Sequence, residues 1–477
     1  MKKRPKTSVR RSLLPADVLE PVPDSAEAMP AAAAVAGQMG QLFSPAFFNT
    51  VLASVRGDFR DRVLNIEVVA LMVLGFVVGS IPSFTELVQR LRSGRFPGLR
   101  EVEVSAAAFF KRLETLPHDI FLELLRHTTA TLAASQKHVR PWVQRLAPFA
   151  FRIFAVDDTT LDALVRRSKA LKLLPKGSMQ TLAGRLGCAV DLCTGKIAEL
   201  IFDNDSNANE KNHVRPLVER LPAGSLYLLD QGYFSFALFD YLTDAYCYFL
   251  TRARKNMTFQ VLHVVSNREN LKDRIIHLGK YNSARARYPV RLIEMRINGE
   301  WWRYLTNVLD PTMLRPEQAW ALYSQRWTIE QCFFALKRAL GMAYLRVSHQ
   351  NGVLIQIWCT LAVYQVLQDL RLEISAENAW GPDEVSWEKL MRRISWHAEQ
   401  PGQSSMRDWL IKNAKRLGLR KTGTRKRRLA ELPPALIADC GHPPVLFPPE
   451  ILTTRKPYAP TSNTRKKRSI VVVACLS

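Results

Sequence analysis

Two aspartates follow directly on apolar runs that read as β-strands. Asp157 follows PheArgIlePheAlaVal (151–156), and Asp230 follows SerLeuTyrLeuLeu (225–229). The carboxyl ends of strands are where open α/β sheets place their chemistry. A third acid, Glu330, falls in a long helical segment at about 315–340. At about 100° per residue, Tyr323, Arg326, Glu330 and Lys337 share a stripe about 60° wide and about 21 Å long. Leu322, Ile329, Phe333 and Leu336 form an apolar stripe beside it. Such a helix buries one edge and aims Tyr, Arg, Glu and Lys at an elongated anion, for instance a phosphodiester backbone. An amphipathic helix with a solvated polar face gives the same pattern. Three carboxylates brought together repel one another, so clustering them makes sense only around cations. Hard oxygen ligands select Mg, with Mn as a substitute. Two such ions about 3.5–4 Å apart activate an attacking oxygen and stabilise the leaving one, the two-metal route to phosphoryl transfer.

The elements that must position these acids form an α/β pattern with a mixed sheet. After the strand at 151–156, residues 184–203 read as two strands joined by the turn Cys193-Thr194-Gly195-Lys196. A helix at about 208–220, the strand Ser225–Leu229, a helix at 235–244 and a strand at 246–251 follow. Residues 255–310 return to alternation, with ValArgLeuIleGluMetArgIle (290–297) and TrpTrpArgTyrLeuThr (301–306) around Asn298-Gly299, a strong hairpin signal. Ahead of all this, residues 41–150 are helical in pattern, Ser105 capping one helix. They suit a DNA-binding domain or a helical scaffold.

The chain has 477 residues and a net charge of +24, with a pI near 10.0, so a polyanionic partner is expected, nucleic acid before an acidic membrane. Six basic residues stand in the first eleven, nine in Lys412–Arg428, and a second run closes in Arg465-Lys466-Lys467-Arg468; solvated tails or DNA grips both fit, and DNA is the preferred reading. Seven scattered cysteines form no C-x-x-C, which fits a reducing compartment. Nine histidines form no H-E-x-x-H, and no Gly-rich phosphate loop is present, which argues against zinc hydrolysis and ATP use. The most apolar early segment, Val68–Ile81, is shorter than the about 20 residues a membrane span needs and reads as a buried helix. The expectation is a soluble, cytoplasmic, nucleoid-associated protein with no membrane partner.

Tyr323-x2-Arg326-x3-Glu330-x6-Lys337 resembles the Y-x2-R-x3-E-x6-K signature of bacterial insertion-sequence-four type DDE transposases. Asp157-Asp158-Thr159-Thr160-Leu161 is similar to that family's Asp-Gly-(Ser/Thr)-Thr-Leu, and Leu229-Asp230-Gln231-Gly232-Tyr233-Phe234 to its Asp-Arg-Gly-Tyr/Phe. TyrLeuThrAsn (304–307) also resembles the family, and the likeness runs over about 105–365.

The resemblance implies an RNase H-like catalytic core at 151–345 with a β-rich insertion at 255–310. Flanking it would be a basic arm (1–40), the helical region 41–150 and a helical, basic region 346–477 for dimerisation or DNA contact. It implies a triad of Asp157, Asp230 and Glu330, each a metal ligand. Tyr323, Arg326 and Lys337 would hold phosphates, and Trp302 would stack on an extruded base, although a core or interface role fits Trp302 equally. The activity implied is cut-and-paste transposition. Two ends bearing terminal inverted repeats are paired by a homodimer, cut, and joined through their 3′-hydroxyls to target DNA. A nuclease without strand transfer, or a non-catalytic DNA-binding descendant, shares the same features. Relatives with Asp-Thr-Thr would select Asp158 instead. Neighbouring strand residues face opposite ways, so only one of the pair can join the site, and Asp157 is preferred.

Overall fold

In the computed structural model the residues described are 64–79, 81–94, 103–134, 140–163, 184–205, 207–279, 285–347, 350–397, 406–421, 433–440 and 471–475. The arm at 1–40 and the basic residues 425–428 and 465–468 lie outside them.

The strands are β1 (Ile153–Ala163), β2 (Gly184–Asp191), β3 (Ile197–Asp203), β4 (Leu226–Leu229), β5 (Tyr248–Arg252), β6 (Phe259–Asn267), β7 (Leu271–Leu278), β8 (Val290–Ile297), β9 (Glu300–Thr306), β10 (Tyr344–Leu345) and β11 (Val471–Cys475). They form one mixed sheet in the order β11-β3-β2-β1-β4-β5-β9-β8-β7-β6, with β10 pairing β1. β1, β2 and β3 are antiparallel neighbours, while β4 and β5 run parallel to β1. Helix Lys211–Val218 connects β3 to β4 and helix Phe236–Asp244 connects β4 to β5. This is a mixed sheet with helices between its parallel strands, as the α/β pattern of the sequence implied. The β-rich insertion joins the same sheet, because β9 pairs antiparallel with β5. Asn298 and Gly299 turn between β8 and β9 at φ 52 and 84, the left-handed region that a tight hairpin turn requires.

Each face of the sheet is covered. Ile153 and Ala155 of β1, with Leu226 and Leu228 of β4, face a core that includes Ile329, Cys332 and Phe333 and much of helix Gln350–Glu377. Phe154, Val156, Tyr227 and Leu229 face a second core, with Val214, Leu217 and Val218. This parity sets the direction of every polar residue that continues the two strands.

Helix Gln350–Glu377 is, among the described residues, the one helix long and apolar enough to cross a membrane, yet 89% of its most apolar window is buried inside the protein. Its polar side chains explain why. Gln365 Nε2 donates to Ile197 O at 2.7 Å, Gln368 Nε2 to Thr194 O at 2.9 Å, and Tyr364 OH to Gly195 O at 2.7 Å. These bonds satisfy the turn between β2 and β3, so the helix is a core element. Helix Ile66–Val78 is also buried, as its sequence implied. Helix Ala106–Thr115 begins at Ser105, whose Oγ accepts from Ala108 N at 3.1 Å.

Two expectations need correction. The first strand does not end before Asp157: β1 runs on to Ala163 because β2 continues to pair with it as far as Leu161↔Gly184. That partner is distant in the chain, and no local signal announces it. The segment at 315–340 is not one regular helix. It comprises Pro316–Gln325, Trp327–Phe334 and a π-helical turn, Ala335–Ala339. Around Arg326 it tightens to i→i−3 bonds, Arg326 N to Tyr323 O and Ile329 N to Arg326 O, each 3.1 Å. The segment thus tightens at one point and widens at another, while the Arg326 guanidinium stays 5.9 Å from the Tyr323 ring centre.

Candidate active site

Asp157 and Asp230 meet through register. The parallel ladder between β1 and β4 ends at Val156↔Leu229, so the next residue on each strand is an aspartate. Parity sends both towards the face covered by helix Trp327–Phe334. Asp230 also stops its strand, since its Oδ2 accepts from Gly232 N at 3.2 Å and caps the 3-10 turn Gln231–Tyr233. Glu330 comes down from the helix above.

Arg326 ties the three acids together. Its guanidinium lies 3.4 Å from Asp157 Oδ2, 3.6 Å from Asp230 Oδ1 and 2.7 Å from Glu330 Oε1. The Glu330 contact is an i,i+4 pair on the helix, which the tightened turn at Arg326 leaves intact. Burial pushes the Asp157 carboxyl up to about 6, and Asp230 and Asp158 add to the rise. The backbone N–H of Asp158, donating at 2.8 Å to Asp157 Oδ1, and Arg326 work the other way.

The expected phosphate-holding residues are placed unevenly. Tyr323 is turned into the core, 8% exposed, with its ring 5.3 Å from that of Tyr304, and burial raises its phenol to about 12. Lys337 is half-buried in the π-helical turn. Trp302 packs on the main core beneath the Arg252 guanidinium, 4.7 Å from its ring centre. It also lines a cavity of about 380 Å³ with Ile297, Asn298, Glu300 and Trp320. Trp301, on the other face of β9, lies under Lys272 at 5.0 Å.

Asp158 faces the opposite way from Asp157. Its side chain has no exposed surface and receives Tyr233 OH at 2.9 Å, with His213 Nδ1 at 2.5 Å and Arg185 Nε at 3.8 Å. The other nitrogen of His213 lies 3.4 Å from Asp203 Oδ2. Burial opposes charge on His213, but the hydrogen bonds its ring donates to Asp158 and Asp203 outweigh it and lift the ring to about 9. Sequence reasoning passed over this cluster, because its members are scattered from 158 to 233 and fit no spacing motif.

The donor set suits a hard cation. Among the described residues no group of three or more His, Cys, Asp or Glu is placed so that it could hold a metal ion as it stands. Instead three carboxylates, with side chains 21%, 43% and 31% exposed, surround the positive charge of Arg326, which stands in for a cation. Oxygen-only ligands suit a hard divalent cation and not a thiophilic metal.

Residues 149–366 match the family described as Transposase DDE domain. Transposase y4zB of Sinorhizobium fredii is 25% identical over 178 residues, 35% of this chain and 48% of that protein. Transposase InsG for insertion sequence element IS4 of Escherichia coli is 21% identical over 216 residues, 43% of this chain and 48% of that protein. The chain thus spans about half the length of these two relatives. The cryo-EM structure of the piggyBac transposase synaptic complex with hairpin DNA aligns at 11% identity and TM-score 0.37, over 82% of both chains.

Proposed function

We propose that this chain is the DNA transposase of an insertion sequence. It pairs two terminal inverted repeats as a homodimer in the cytoplasm, at the nucleoid, cuts the transposon ends and joins their 3′-hydroxyls to target DNA by a cut-and-paste route. The observation that carries the reading is the convergence of Asp157, Asp230 and Glu330 on one positive charge within a transposase DDE domain.

Asp157, Asp230 and Glu330 would hold two Mg ions, with Mn as a substitute. Bound there, divalent cations activate the attacking oxygen and offset charge on the phosphate. Arg326 offsets part of the charge of the three acids while the site is free of metal and DNA. Once relieved of that duty, its planar fork can hold a phosphate bidentately. Lys337 and Tyr323 hold the phosphates of the transposon end from the same helical segment. Trp302, with an adjoining cavity and a cation over its ring, offers a face for an extruded base. The helical region 41–150 binds DNA, and region 346–477 serves dimerisation and DNA contact.

Asp230→Asn tests the reading, because the amide oxygen keeps the cap on Gly232 while the charge is lost. The variant should bind end DNA as the wild type does and lose Mg-dependent cleavage. Loss of binding and cleavage together would make Asp230 structural. Incubating the wild type with a 3′-hydroxyl end and a target plasmid should give joined product. Cleavage without joining would make the protein a nuclease.

A further inference from the structure

The second cluster of charged groups lies directly behind the candidate site. The parallel ladder between β1 and β4 stops at Val156↔Leu229. Beyond that point no hydrogen bond between these two strands sets the spacing of Asp157 and Asp230. The Tyr233 hydroxyl donating to Asp158 Oδ1 at 2.9 Å is a link across this gap. Asp158 follows Asp157 on β1, and Tyr233 closes the 3-10 turn that Asp230 caps.

The link is held from behind. His213, from helix Lys211–Val218, approaches Asp158 Oδ2 at 2.5 Å and Asp203, the last residue of β3, at 3.4 Å. Gly187 stands opposite Asp158 in register, and a Cβ there would come 2.8 Å from Asp158 Oδ1 and 3.4 Å from His213 Cβ. The site is therefore emptied of one side chain so that the other groups can close. Removing a carboxylate wholly from water is expensive, and a hydrophobic packing of similar volume is often as stable or more so. A buried network of this kind gains its use from fixing geometry.

We propose that Asp158, His213 and Tyr233 are positioning residues: a hydrogen-bonded cross-brace on the far face of β1 that fixes the separation of Asp157 and Asp230. The inference rests on reading those two aspartates as ligands of the same ions.

The test uses the full-length chain freed of metal, with Tyr233→Phe as the principal variant and His213→Gln as the second. Mn binding is followed by the loss of the free-ion spin resonance signal. The Mg concentration that half-saturates cleavage of end DNA is measured beside it, with melting temperature and end-DNA affinity as controls. Tyr233→Phe keeps the ring in its core and loses only the hydroxyl. It should raise both half-saturating concentrations about tenfold, as loss of a partner behind a metal ligand does, with end-DNA affinity unchanged. His213→Gln should shift them in the same direction. Unchanged metal half-saturation in Tyr233→Phe, whatever its melting temperature, overturns the brace. A wild type that neither binds Mn nor cuts DNA overturns the ligand reading, and the brace falls with it.

Discussion

His213 makes the stability of this protein depend on pH in a direction that the structure prescribes. The ring is 3% exposed and lies between Asp158 and Asp203, with Arg185 near the same Asp158 oxygen and the Tyr233 hydroxyl on the other. Its pKa rises from an ordinary 6.5 to about 9. A group whose folded pKa exceeds its unfolded value lends its stability in full below the unfolded pKa. That stability shrinks as the pH climbs towards the folded pKa and is gone above it. The window here runs from about 6.5 to about 9. The shift corresponds to a roughly 300-fold preference of the folded state for the protonated ring, about 3 kcal/mol. Urea unfolding followed by tryptophan fluorescence, at about pH 6 and about pH 10, should show the wild type losing stability of this order. His213→Gln, which cannot take up the proton, should lose much less over the same interval and differ least from the wild type at high pH. If the variant's midpoint falls as steeply with pH as the wild type's, the imidazolium between two carboxylates is not what stabilises this corner, and the reasoning fails.

Asp157 has the opposite balance. With its folded pKa at about 6, above the ordinary 3.8, the stability of its protonated form is lost as the pH rises from 3.8 to about 6. In metal-free buffer near neutrality, Asp157→Asn should therefore melt above the wild type, by at most about 3 kcal/mol, and lose cleavage; an equal or lower melting point contradicts the buried charge. The basic runs are best tested by substitution. Deletion would also remove helix Pro434–Cys440, whose Asp439 Oδ2 accepts from Asn270 N at 3.3 Å, and strand β11 against β3. Changing Arg425, Lys426, Arg427, Arg428 and Arg465, Lys466, Lys467, Arg468 to Gln should flatten the log–log salt dependence of DNA binding by about 0.9 for each phosphate no longer neutralised. An unchanged slope makes these runs bystanders.

What could be read in the sequence follows the range of the interactions that write it. The hairpin at Asn298-Gly299, the helix at 236–244 and the cap at Ser105 are each set by residues within a few positions, and each stands where its pattern put it. The continuation of β1 through Asp157 to Ala163 depends on β2, more than twenty residues away, and so left no local trace. Arg326 departs from regular helix without a Pro or Gly to announce it. Its three carboxylate partners supply the reason only once the sheet has formed. The pair Asp157-Asp158 shows the same limit most sharply. The rule that strand neighbours face apart is local, so it was legible that one acid alone could join the site. Which one was not, because the four residues just before them, 153–156, are all apolar and show no polar face to reveal the parity. Parity emerges from what each core supplies: Ile153 and Ala155 join the core that holds Ile329 and Phe333, and Phe154 and Val156 join the one that holds Val214 and Leu217. Once that is set, one aspartate meets Arg326 and the other meets His213. The two adjacent acids then have separate work, the first open to solvent and a cation, the second sealed from both.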